Sequence, residues 1–179
     1  VLAQLSTTLC FTAALAEQIA LLEPGGPRTL DALQTLRERA LVSPSRVPGA
    51  PGDVVLEVLR GVRDFARRKT EPARLAGARE RHAACMASLA RRALASRDAP
   101  LDEASRLGLL AVVRGALGDA APGAREAEHA LWSLLALSRG SDRAAEAGEL
   151  SLLSRVLDAT QGSGAHPALY ARALGLRGS

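Results

Sequence analysis

The stretch Ala130-Leu131-Trp132-Ser133-Leu134-Leu135-Ala136-Leu137 holds no proline, no glycine and a single hydroxyl. With Ala127 before it, Ala130, Leu131, Leu134 and Leu137 recur at the three-and-four spacing of one α-helical face. Ala and Leu are also the residues that lose least on entering a helix. The reading is a helix that ends near Gly140.

Similar segments lie on both sides. C-terminal to it, Ser141 caps a short helix to Ala147, and Gly148 marks a sharp turn. A helix with Leu150, Leu153 and Val156 or Leu157 follows, and Pro167 opens a last one with Ala168, Ala171 and Leu174. N-terminal to it, Pro122 and Gly123 break the chain, preceded by a helix that starts at Asp98 and Pro100 and is lined by Leu110, Val113 and Leu117. Thr70 and Pro72 start another, with Leu75, Ala78, His82, Cys85, Leu89 and Ala93 on one face. Asp53 caps a helix carrying Val55, Val58, Leu59, Val62, Phe65 and Ala66. At the N-terminal end, Leu2, Leu5, Leu9, Thr12, Leu15, Ile19 and Leu22 keep helical spacing until Pro24, and Thr29 caps a partner with Leu30, Leu33, Leu36 and Ala40. This divides the chain into an N-terminal helical hairpin over 1–42, a Pro-bearing loop or linker over 43–53, and a helical region over 54–179 continuous with the hairpin.

Composition supports helices throughout. The apolar 47% is mostly Ala and Leu, and Phe11, Phe65, Trp132 and Tyr170 are the only aromatics. A sheet prefers β-branched and aromatic residues, which are scarce. Small Ala side chains let helices approach closely, so the expected core is thin and interlocking. The fold class read from the sequence is all-α, built from roughly eight short stacked helices.

Residues 108–137 laid over 148–177 pair Gly108 with Gly148, Leu110 with Leu150, Val113 with Leu153, Leu117 with Leu157 and Leu134 with Leu174. A period near 40 is that of helical repeats whose units bury their apolar faces against neighbours. The run from Ala130 to Leu137, then Asp142 to Leu150, then Leu152 to Leu157, resembles an armadillo third helix, short first helix, glycine turn and second helix. The resemblance covers about residues 101–179; residues 1–100 do not keep the period. It implies an armadillo- or HEAT-like right-handed α-solenoid segment that binds another protein along a groove, with Trp132 as a groove-facing residue; by its general tendency to burial a lone Trp on an Ala-rich helix reads instead as a large core filler. Ala130 to Leu134 also resembles the Ala-Leu-Trp-x-Leu helix of organellar octotricopeptide-type proteins, which implies RNA binding instead.

Catalytic and metal-binding patterns are weak. Glu126 and His129 form one E-x-x-H pair, where a carboxylate di-iron bundle needs two pairs and two further Glu. His82 and Cys85 supply two of the four ligands that a structural zinc requires, with no second pair at suitable spacing. No phosphate-binding G-x-x-x-x-G-K-[ST] and no G-x-S-x-G elbow occurs. The expectation is a non-enzymatic scaffold or adaptor without a cofactor, part of a larger chain or complex.

Cys10 and Cys85 stand far apart, which fits a reducing, intracellular compartment. The first 22 residues carry Gln4, Ser6, Thr7, Thr8, Glu17 and Gln18, a costly load for a membrane span. The chain starts at Val1, so a preceding segment is expected.

Charge is distributed unevenly. The net charge is +4, but residues 60–97 hold eleven basic side chains against Asp64, Glu71 and Glu80, which leaves −4 for the remainder. Arg60, Arg63, Arg67, Arg68, Lys69, Arg74, Arg91 and Arg92 are the candidate partner or polyanion patch. Phe65 is the one aromatic there, where single-strand nucleic-acid binding usually adds stacking platforms. An acidic protein partner, a nucleic-acid face and a solvated surface all remain open on the sequence.

Overall fold

A computed structural model describes residues 1–22, 25–96, 101–118, 122–139, 154–161 and 167–177. The chain is mainly helical, with one small sheet among the described residues, and forms two compact units. Unit 1 comprises residues 1–85 and 102–108, and unit 2 comprises 86–101 and 109–179. The expected elements at Pro24, Asp98, Pro100, Gly140, 141–148, Leu150 and Leu153 lie outside the described residues.

Unit 1 begins with α1 (Leu2–Leu5) and α2 (Ala13–Ile19), where sequence spacing suggests one continuous helix. The hydroxyls of Ser6, Thr7 and Thr8 explain the break. Each donates to the carbonyl three residues back, on Ala3, Gln4 and Leu5, and so competes with helical bonding. Thr12 then caps α2 by accepting from Leu15 N–H. Between them, Phe11 exchanges two backbone bonds of 2.8 Å with Leu56.

Next come α3 (Thr29–Glu38), β1 (Val42–Pro44) and β2 (Leu56–Val58). At the start of α3 the cap lies one residue earlier than Thr29, since Arg28 N–H donates to the Asp31 carboxylate. Its end is a Schellman turn: Leu41 N–H donates to Leu36 O, Ala40 N–H donates to Arg37 O, and Ala40 sits at φ +54°. β1 and β2 pair antiparallel with Val42 opposite Val58, Ser43 opposite Glu57 and Pro44 opposite Leu56. The helix expected from Asp53 starts only at Arg60, and β2 takes part of the stretch before it. Val55, Val58, Leu59 and Val62 fall at helical spacing, but the valines favour a strand, and the first three precede the true start of α4. Leu5, Phe11, Ala16, Leu33, Val42, Leu56 and Val58 form the buried cluster.

The unit continues with α4 (Arg60–Lys69) and α5 (Pro72–Ala95), which starts at the proline as expected. It also takes the start of α6 (Glu103–Ala116). There the capping residue is Asp102, whose carboxylate accepts from Ser105 N–H at 2.9 Å.

Unit 2 takes the end of α5, the rest of α6, α7 (Ala124–Ser138), α8 (154–160) and α9 (Pro167–Arg177). All five residues from Ser133 to Leu137 are buried, so α7 is enclosed on every side over that stretch. Ser133 tolerates this because its hydroxyl donates to His129 O at 2.8 Å. Arg139 Nη1 donates to Ala93 O and Leu94 O and so satisfies carbonyls at the end of α5. Two of the 40-residue pairs can be compared. Leu157 is fully buried where Leu117 is half-buried, and Leu134 is 3% exposed where Leu174 is 42% exposed. Equivalent repeat positions would be buried alike, and Leu174, which α9 turns outward, is not buried like Leu134.

Candidate binding surfaces

The basic run of unit 1 divides into two groups with different jobs. Arg63 and Arg67 are half-buried on α4 and point to the broken N-terminal segment. Arg63 Nη2 donates to Leu9 O at 2.9 Å and Val58 O at 3.0 Å, and Arg67 Nε donates to Ser6 O at 2.8 Å. Arg81 on α5 makes the same kind of bond, from Nε to Ile19 O at 2.7 Å, and its Nη2 reaches Gln4 Oε1. The interruption between α1 and α2 frees backbone carbonyls, and guanidinium forks supply the donors. Desolvation, then the nearby Arg63 and Arg79 cations, pull Arg67 below the usual guanidinium value. Arg63 and Arg67 thus serve the fold and leave the candidate patch.

Arg60, Arg68, Lys69 and Arg74 are exposed, and among the described residues none of them forms an ion pair. Phe65, on the same helix as Arg60, Arg68 and Lys69, is 57% exposed. It precedes Arg68 and Lys69 by three and four residues on α4, so one helical turn brings the ring and both cations to neighbouring positions.

The other two patch residues belong to unit 2. Arg92 is exposed. Arg91 lies 4.0 Å from the Glu128 carboxylate and places its guanidinium carbon 5.9 Å from the Trp132 ring centroid. This is cation–π range. Trp132 is half-buried, and its Nε1–H donates to Glu128 Oε1 at 3.3 Å. It is therefore a wall residue and not a core filler. Glu128, Trp132, Ala168, Leu169 and Arg172 line a cleft of about 320 Å³ between α7 and α9.

The E-x-x-H and His/Cys pairs do not assemble. Glu126 accepts from Gly123 N–H at the start of α7. His82 is buried with Nε2 unbonded, and burial lowers its pKa to about 4. Cys85 donates its thiol to Gln18 Oε1. Among the described residues, no three His, Cys, Asp or Glu side chains cluster where a metal ion could sit, and no helix is long and apolar enough to cross a membrane.

The sequence pattern singles out Trp132 but not Glu128, although the two stand at i and i+4 on one helix face. It did not reach Arg81, Arg139 or Arg172. Their roles depend on carbonyls and side chains far away in the chain, and no local pattern marks them. Comparison of the chain with protein-family models, curated proteins and solved structures finds no match.

Proposed function

We propose that this chain is a non-enzymatic helical binding module of a larger assembly, and that Phe65, Arg60, Arg68, Lys69 and Arg74 hold an acidic segment of a protein partner. The observation that carries the reading is the exposed Phe65 beside two cations that have no ion-pair partner among the described residues. An aromatic ring that desolvates on contact supplies binding energy, while surrounding cations choose an acidic partner and raise its encounter rate.

The finer architecture is part of the proposal. Residues 101–179 are read as an armadillo-like stack of right-handed sense, supported by the short helices and by the full enclosure of α7. An experimental structure in which successive helix pairs of this region lack a common right-handed rotation would remove that reading.

Fluorescence anisotropy with labelled peptides tests the binding surface. The probes are peptides in which Asp and Glu flank a Phe, a neutral Asn/Gln counterpart, and an oligouridylate. The acidic peptides should bind the native chain and lose roughly tenfold in affinity with Phe65→Ala or with Arg60, Arg68, Lys69 and Arg74 all changed to Gln. Arg63 and Arg67 stay in place, so the fold keeps its carbonyl partners. Equal binding by the quadruple variant would defeat the proposal. Preference for oligouridylate with a steep salt dependence would replace it with the RNA reading.

A further inference from the structure

We propose that the cleft beside Trp132 binds an apolar group carrying a single carboxylate. Its size, about 320 Å³, suits a small arene or one aliphatic side chain with its attached carboxylate. Among the described residues, Ala168, buried Leu169 and the indole supply apolar wall, and Glu128 and Arg172 bring charge to it.

The two charges are not equally available. Glu128 already accepts the Trp132 Nε1–H bond and faces Arg91 at 4.0 Å. Arg172 meets neither a carboxylate nor another acceptor among the described residues. Among the described residues, Arg172 is thus the charge in the cleft left open to a ligand, and its guanidinium fork matches the two oxygens of a carboxylate. A cationic ligand is disfavoured twice, because Arg91 already lies over the indole and Arg172 would repel it. A monoanion with an apolar body matches both the Arg172 guanidinium and the apolar wall.

Trp132 is the only tryptophan of the chain, so its emission reads the cleft directly. Two sources of the same chemistry are compared: 4-phenylbutyrate as a free acid, and N-acetyl-Gly-Leu with its C-terminal carboxylate. Each is paired with the corresponding amide. At least one acid should change the emission saturably with a Kd on the order of 0.1–1 mM, as a small ligand in a half-open cleft allows. Its amide should bind roughly tenfold more weakly, and Arg172→Gln, at an exposed position, should weaken the acid by a similar factor without unfolding the chain. The acid that responds identifies the source. Failure of both acids to saturate, or equal binding of acid and amide, or equal binding by Arg172→Gln, overturns the proposal.

Discussion

Acidification should weaken the fold through His82 before the bulk of the carboxylates titrate. The imidazole is 5% exposed, its Nε2 has no hydrogen-bond partner, and burial alone lowers its pKa to about 4. The unfolded chain takes up the proton near the ordinary value of about 6.5. As pH falls through that value, protons accumulate on the unfolded state while folded His82 stays neutral, so stability is fully present above about pH 6.5 and is lost toward pH 4. The whole gap is worth about 3 kcal/mol, and the part between about pH 8 and about pH 5 is about 2 kcal/mol. Urea denaturation followed by circular dichroism at several pH values measures it, with His82→Gln as the non-titrating reference. The reference can be more or less stable overall; the slope with pH carries the test. If native chain and His82→Gln lose the same stability between about pH 8 and about pH 5, then His82 is not held neutral and the reasoning is wrong.

Three further perturbations bear on the packing. Leu134→Ala should cost roughly 2 to 5 kcal/mol by chemical denaturation, whereas Leu174→Ala, at an outward position, should cost less than about 1 kcal/mol. Equal losses would restore the two leucines to equivalent layers. Arg63→Ala should cost about 1 to 3 kcal/mol because the Leu9 and Val58 carbonyls lose their donor, while Arg68→Ala should change stability by less than about 0.5 kcal/mol. Ala40→Gly should stabilise by roughly 1 kcal/mol, since φ +54° strains a side chain that glycine lacks; a loss would show that Ala40 packs in a way its exposure does not suggest.

What the sequence made legible follows from how local each cause is. Residues 124–138 form the expected helix because Ala/Leu propensity and apolar spacing agree there. Pro72 opens α5 because proline at a first turn acts through its own ring and missing N–H. The break at Ser6 to Thr8 is local as well, but six apolar positions in helical register, from Leu2 to Leu22, mask it. Val55, Val58 and Leu59 satisfy the helical spacing by coincidence, and only pairing with Val42 to Pro44 and with Phe11 makes Leu56–Val58 a strand. The patch was half legible. Charge density drew attention to α4, yet nothing local distinguishes Arg67, bound to Ser6 O, from Arg68 in solvent. Trp132 and Glu128 were within reach of helix spacing. Arg172 joins them only through packing of α9 against α7, which spacing within either helix does not specify.

Photo-crosslinking from the α4 surface tests the central claim most directly. p-Benzoylphenylalanine placed at position 65 puts a reactive ketone where the exposed ring of Phe65 stands. After irradiation in extract from the source cells, the adducts are digested and sequenced by mass spectrometry. The account predicts protein adducts whose crosslinked peptides are rich in Asp and Glu, and which disappear when Arg60, Arg68, Lys69 and Arg74 are changed to Gln. Adducts to RNA, or protein adducts that survive that change, would contradict it.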